Sequence, residues 1–286
     1  RSWTILAQDG TEVFESGASF EHAIVEIGHY PEGRSENKGV EPEAIVARTF
    51  GETPMIFVGS ERGSVIGVYD ATDPAAPVLR QLLPSGIGPE GLLPIPQRNL
   101  FVTANETDLG ADGAARSHVM IYELQDAPAA YPQLTSAGME ELTGWGAISG
   151  MVAGDDGMLY AINDSAYGAQ PTIFVIDLSS QPARIIRAIR ITRDGAPAQN
   201  MDMEGITLDG EGGFWVVNEG RTDRDNGENL LDQYEPSRGS PGDERACKSE
   251  HRQTQDEQPS GAAHGEDQPR PERDQYPLAR VVEPEH

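Results

Sequence analysis

Runs of four to six apolar and β-branched residues, bounded by Gly, Pro, Asp or Asn, recur along the first 231 residues. This is the signature of short strands. The clearest pair is Met203-Glu204-Gly205-Ile206 and Phe214-Trp215-Val216-Val217-Asn218-Glu219, joined by the turn Asp209-Gly210-Glu211-Gly212-Gly213. The same pair is written three more times. Earlier first strands open at Pro42-Glu43-Ala44-Ile45-Val46, Pro89-Glu90-Gly91-Leu92-Leu93 and Ile148-Ser149-Gly150-Met151-Val152. The marker positions 43, 90, 149 and 204 are 47, 59 and 55 residues apart. Second strands end on Glu61, Asn105-Glu106, Asn163-Asp164 and Asn218-Glu219, at offsets of 18, 16, 15 and 15 from the marker.

A third strand follows in three copies, at Ser64–Asp70, His118–Glu123 and Thr172–Asp177, and a fourth in two, at Val78–Leu83 and Arg184–Ile191. By register, Leu230-Leu231 should begin the third strand of the last copy. Four short strands per period of this length is the grammar of a β-propeller blade; a β-sandwich is the competing all-β arrangement. The expectation is an incomplete β-propeller of about four blade repeats, with blades over 1–127 and 143–231. Before the blades, Ser2–Ala7 and Thr11–Glu15 read as a hairpin closed by Asp9-Gly10. Phe20, Ile24 and Ile27 have helical spacing in a segment too short to assign, and a polar loop covers 28–41.

The pattern stops after Leu231. Residues 232–286 are rich in Gln, Arg, Pro, Glu, Asp and Gly, a composition that buries too little apolar surface to fold. The break falls inside a repeat, whereas linkers fall between units. Two readings stand side by side: an ordinary disordered tail, or the product of a shifted reading frame. The chain opens at Arg1 without an initiator Met or a signal peptide, which suggests a fragment or a processed form.

Charge narrows the classes of function. The formal net charge is −26, which argues against nucleic-acid binding, because phosphates need Lys and Arg. It suits a protein that meets cations. The single cysteine, Cys247, makes no internal disulfide, and no run reaches the roughly 20 apolar residues of a membrane helix.

The repeat places acids at matched positions. Glu43, Glu90 and Glu204 open first strands; Glu61, Glu106, Asp164 and Glu219 close second strands. In a propeller these ends lie near the axis, where carboxylates repel unless they are solvated, protonated or bridged by a cation. Calcium is the hard cation that such oxygens suit. The plainer alternative is that these acids cap exposed backbone or pair with Arg62 and Arg221, and Ser149 interrupts the series. Asp223-x-Asp225-x-Gly227 lacks the Gly and Glu spacing of a calcium loop. His22, His29 and His118 have no zinc spacing. No Gly-x-Ser-x-Gly elbow or phosphate loop is present, so the catalytic residues stay unknown.

Two stretches resemble known families. Arg1-Ser2-Trp3, Asn37–Glu43, Phe57–Arg62, Val68–Pro74, Gly88–Leu92 and Ala104-Asn105-Glu106 are similar to the choice-of-anchor I propellers, with Ala44 where a Gly is usual. Ile148-Ser149-Gly150, Tyr160–Asp164, Asp202–Ile206 and Asn218–Arg221 resemble the phytase-like family, also called esterase-like activity of phytase. The resemblance implies a secreted, periplasmic or cell-surface propeller, calcium-dependent, that hydrolyses a small phosphoester or carboxyl ester. A non-catalytic surface module for binding or structure is the alternative. Neither family supplies a defined catalytic set, and fold does not fix function.

Overall fold

The computed structural model describes residues 1–199 and 201–219, and the strands Leu230–Glu235 and Lys248–Glu250. All of these fall in one compact unit, Arg1–His251. Arg221, the Asp223–Gly227 loop, Cys247 and the tail beyond 250, with both readings of its origin, lie outside the described residues.

Among the described residues the fold is all-β with one short α-helix. Strands β1 (Thr4–Leu6) and β2 (Glu12–Glu15) form the expected hairpin. Helix α1 (Ser19–Glu26) settles the ambiguous segment, burying Phe20, Ile24 and Val25. An isolated helix of this length is unstable in water, so packing must hold it. Four antiparallel meanders follow. The first sheet contains β3 (Pro42–Phe50), β4 (Thr53–Ser60), β5 (Val65–Asp70) and β6 (Val78–Pro84) in sequential order. The second contains β7 (Pro89–Ile95), β8 (Leu100–Asn105) and β9 (His118–Glu123). After β10 (Leu134–Thr135), the third contains β11 (Ile148–Ala153), β12 (Met158–Asn163), β13 (Thr172–Asp177) and β14 (Ala183–Arg190), with β10 parallel on the β14 edge. A small hairpin, β15 (Thr192–Arg193) and β16 (Ala196–Pro197), occupies the expected loop. The fourth sheet contains β17 (Met203–Leu208), β18 (Phe214–Asn218), β19 (Leu230–Glu235) and β20 (Lys248–Glu250). Leu230 opens β19 as the register required, and pairing continues past 231, to Tyr234 against β18 and to Glu235 against β20.

The sheets bury their apolar faces in pairs. Between the first and second lie Phe50, Phe57, Ile66, Val68 and Phe101, with the Phe57 and Phe101 rings stacked at 4.2 Å. Between the third and fourth lie Ile162, Ile173, Val175, Ile189, Met203, Phe214 and Val216. A buried side chain of this size is worth about 1.5–3 kcal/mol over an exposed one, so each seam is a core in its own right. The far face of the first sheet is covered by Trp3, Phe20, Ile24, Ile27 and Val40. The far face of the third is covered by Leu134, Met139 and Trp145.

The end of α1 joins the two halves. A helix C-terminus leaves carbonyls without partners. The Glu26 carbonyl accepts from Ser136 N–H at 2.8 Å, Thr135 Oγ1 at 3.2 Å and Trp145 Nε1 at 3.0 Å. Gly28 then turns at φ +75°, where a Cβ would stand 2.8 Å from the Trp145 ring. Gly28→Ala combines left-handed strain with overpacking and should cost about 2–5 kcal/mol. The check is the urea midpoint at unchanged m-value; a midpoint equal to that of the unsubstituted chain would show that the ring simply moves aside.

Candidate functional site

The four repeats share one local geometry at the marker. Strand pairing slips between Pro42 and Ala44, Pro89 and Gly91, Ile148 and Gly150, and Met203 and Gly205. Glu43, Glu90, Ser149 and Glu204 each occupy this slip. A bulge leaves one residue out of the ladder and re-aims its side chain. A second feature recurs with it: the residue closing the second strand donates its N–H to the carbonyl two residues before the marker. The pairs are Glu61 to Glu41 at 2.9 Å, Glu106 to Gly88 at 2.9 Å, Asp164 to Ala147 at 2.9 Å and Glu219 to Asp202 at 3.0 Å. The offset of 15 to 18 residues is therefore the length of one hairpin closed by this bond.

These ends meet those of the neighbouring sheet. Gly150 lies against Gly205, where a Cβ on Gly150 would stand 3.1 Å from the Gly205 Cα. Ser149, which breaks the acidic series, donates its hydroxyl to the Met203 carbonyl at 2.6 Å across that seam. Among the described residues the acids gather in three groups: Glu41, Glu43 and Glu61; Glu61, Glu90 and Glu106; and Asp164, Asp202 and Glu204. Within each group one carboxylate oxygen per residue lies within 4.8 Å of the others. Glu219 is close enough to Asp202 to raise its pKa. Two members, Glu41 and Asp202, were not among the residues expected from sequence. Both stand two residues before the marker, outside the strand, in a loop the strand pattern does not reach.

The groups differ in charge. The first is held by bases. Glu41, buried, is bound by Arg34, with Lys38 Nζ at 3.7 Å and Arg62 Nε at 3.6 Å. Burial pushes its carboxyl up, but Arg34, Lys38 and Arg62 together hold it below the usual range. Lys38 also reaches Glu43 at 3.7 Å, and Arg62 Nη2 holds Glu61 at 2.8 Å. Glu61 is nonetheless raised, by burial first and then by Glu43 and Glu41, against the pull of Arg62. Here the plainer expectation, ion pairing with Arg62, describes the contacts. Glu90 and Glu106 of the second group are exposed.

The third group brings Asp164, Asp202 and Glu204 together. Asp202 is raised to about 6, first by its hydrogen bond with Asp164, then by burial and by the charges of Asp164, Glu204 and Glu219. Its N–H donates to Asn218 Oδ1 at 2.7 Å, and Asn218 is buried. A carboxyl raised in the folded chain binds its proton more tightly there than in the unfolded chain. Its contribution is full below the ordinary value and is lost as pH rises through the folded one. Without added divalent cation, the urea midpoint should fall as pH rises from about 4 to about 6. Asp202→Asn should flatten that fall; a slope unchanged by the substitution would assign it to other groups.

Comparison with known proteins bears on the same segments. Residues 1–74 match the choice-of-anchor I domain and residues 143–271 match the phytase-like family, described as esterase-like activity of phytase. No curated protein matches the chain in sequence. A solved structure, Kuenenia stuttgartiensis hydrazine synthase, aligns at 11% identity over 68% of this chain and 62% of its own, with a TM-score of 0.23. A likeness of that size carries no argument. Among the described residues no helix is long and apolar enough to cross a membrane.

Proposed function

We propose that this chain, which joins a choice-of-anchor I segment to a phytase-like segment, is an extracytoplasmic β-propeller hydrolase. Its substrate is a small phosphate or carboxyl ester, and its site lies at the seam of the third and fourth sheets. The observation that carries this reading is the convergence of Asp164, Asp202 and Glu204 within 4.8 Å. Four meanders with one shared bulge and one shared closing bond support blades of a propeller, about four in this chain.

The donor set fits calcium. Calcium takes oxygens at about 2.3–2.6 Å, so two of its ligands stand no more than about 5 Å apart. All the donors are hard carboxylate oxygens, and Asp164, Asp202 and Glu204 would hold the ion, with Glu219 beside them. A bound cation supplies charge that polarises an ester oxygen and acidifies a bound water. The chain's own residues hold the donors in place. The bulge aims Glu204, Asn218 fixes the Asp202 backbone, and the bond from Asp164 N–H to Ala147 closes the neighbouring turn.

A non-catalytic surface module is the second reading. It is favoured by the first acidic group, where Arg34, Lys38 and Arg62 already neutralise the carboxylates. Calorimetric titration of the full chain with calcium, alongside turnover of p-nitrophenyl phosphate and p-nitrophenyl acetate, separates the two. Binding with calcium-dependent turnover supports the hydrolase. Binding without turnover leaves calcium as a staple of a surface module, and no binding overturns the cation site.

A further inference from the structure

The second sheet differs from the other three. It has three strands, where the first and fourth have four and the third has five. Its last strand, β9, is therefore an outer edge, and among the described residues no strand pairs with its far side. The sheet face turned away from the first sheet is also bare. Leu93 is 58% exposed, Val119 60% and Ile121 68%. The corresponding faces of the first and third sheets are covered by the sheet that follows.

An open edge is a template for another strand, and proteins blunt such edges with charge, proline or bulges. The edge strand of the first sheet has these devices: β6 carries Arg80, ends in Pro84 and pairs through a bulge. The edge of the third sheet is occupied by β10. Strand β9, His118-Val119-Met120-Ile121-Tyr122-Glu123, has no Lys, Arg or Pro, and its pairing with β8 has no slip.

The charges around β9 select the occupant. With a net charge of −26, two copies repel over most of their surface. Strand β9 is an exception, because Arg116 and His118 stand at its start and Glu123 and Asp126 at its end. Arg116 already reaches Asp108 at 3.0 Å, yet its side chain is 78% exposed. Antiparallel self-pairing lays the basic start of each strand beside the acidic end of the other, twice, across a two-fold axis. Parallel pairing would set like charges together. Cross-strand pairs of opposite charge stabilise and like pairs destabilise.

We propose that β9 pairs antiparallel with β9 of a second copy, making one six-stranded sheet across a two-fold axis. Main-chain bonds along the open edge provide the adhesion, as in other strand-addition complexes. Val119 and Ile121 of the two copies then continue one apolar face.

Sedimentation of the full chain at about 0.15 M salt tests this, because the Debye length is then about 8 Å and the long-range repulsion between two acidic copies is screened while strand-to-strand contacts persist. The expected result is a dimer. Ile121→Lys should weaken the dimer at least about ten-fold by placing a charge in the apolar row. Glu123→Lys should do the same by setting base against base. Both side chains are exposed, and an unchanged urea midpoint for each variant excludes misfolding. A monomer at about 100 µM, far above the affinity of a specific dimer, overturns the proposal. So does a dimer that neither substitution affects.

Discussion

Glu204→Gln and Asp202→Ala should each reduce the proposed calcium-dependent ester turnover by about 100-fold or more, while Glu43→Gln should leave it within about two-fold. Loss of groups that only orient a metal ligand costs about 10–100-fold, so loss of a ligand itself should cost at least as much. The contrast with Glu43 tests the site rather than general acidity. Glu43 occupies the same bulge as Glu204, but Lys38 lies 3.7 Å from it and its neighbours Glu41 and Glu61 are paired with Arg34 and Arg62. Asp202, by contrast, is raised to about 6 by its hydrogen bond with Asp164, by burial and by the charges of Asp164, Glu204 and Glu219. A carboxyl raised by neighbouring carboxylates gains from an added cation. Calorimetry on the same variants separates affinity from chemistry. Equal losses for Glu43→Gln and Glu204→Gln would mean that the seam of the third and fourth sheets has no special role.

Phe20→Ala removes about 3–5 kcal/mol of stability, the range for emptying a buried aromatic site. Phe20 is fully buried. Its ring lies over Gly67, so close that a Cβ on Gly67 would stand 2.7 Å from it, and edge-on to Tyr69 at 6.3 Å. Gly67 leaves no side chain that could fill the space. For a chain of this size each kcal/mol moves the melting temperature by about 2–4 °C, so a drop of about 10 °C is expected by calorimetric scan. The effect should extend beyond α1, because the Glu26 carbonyl at its end holds Thr135, Ser136 and Trp145 of the segment that covers the third sheet. A drop of under about 3 °C would show that α1 is a surface appendage and not the joint between the halves.

Much of the local structure was legible in the order of residues. Apolar runs broken by Gly, Pro and Asp set the strands, because a strand needs side chains that alternate between two faces and a turn needs residues that tolerate its backbone. The hairpin, the four meanders and the start of β19 at Leu230 follow from that pattern alone. Repetition identified Glu43, Glu90 and Glu204, since a bulge at a fixed place in the repeat must fall at a fixed place in the sequence. Composition was a poorer guide beyond Leu231, where β19 continues to Glu235 and β20 adds a short strand. Backbone pairing to an existing edge does not require an apolar run.

The order of residues alone determined that this chain is all-β, built of repeated meanders, and that acids mark one end of each. Only the tertiary structure decided which acids meet and in what company. Glu41 and Asp202 lie in loops with no periodicity to reveal them, and they reach their groups because each turn is closed by a bond to the neighbouring strand. Arg34 and Lys38 neutralise the first group from a loop that the strand pattern leaves unplaced. Electrostatic interaction depends on distance through space, and distance through space between segments far apart in sequence is set by packing. The same holds for the bare edge of β9: a strand shows its alternation in sequence, but whether a neighbour covers it is decided by the fold.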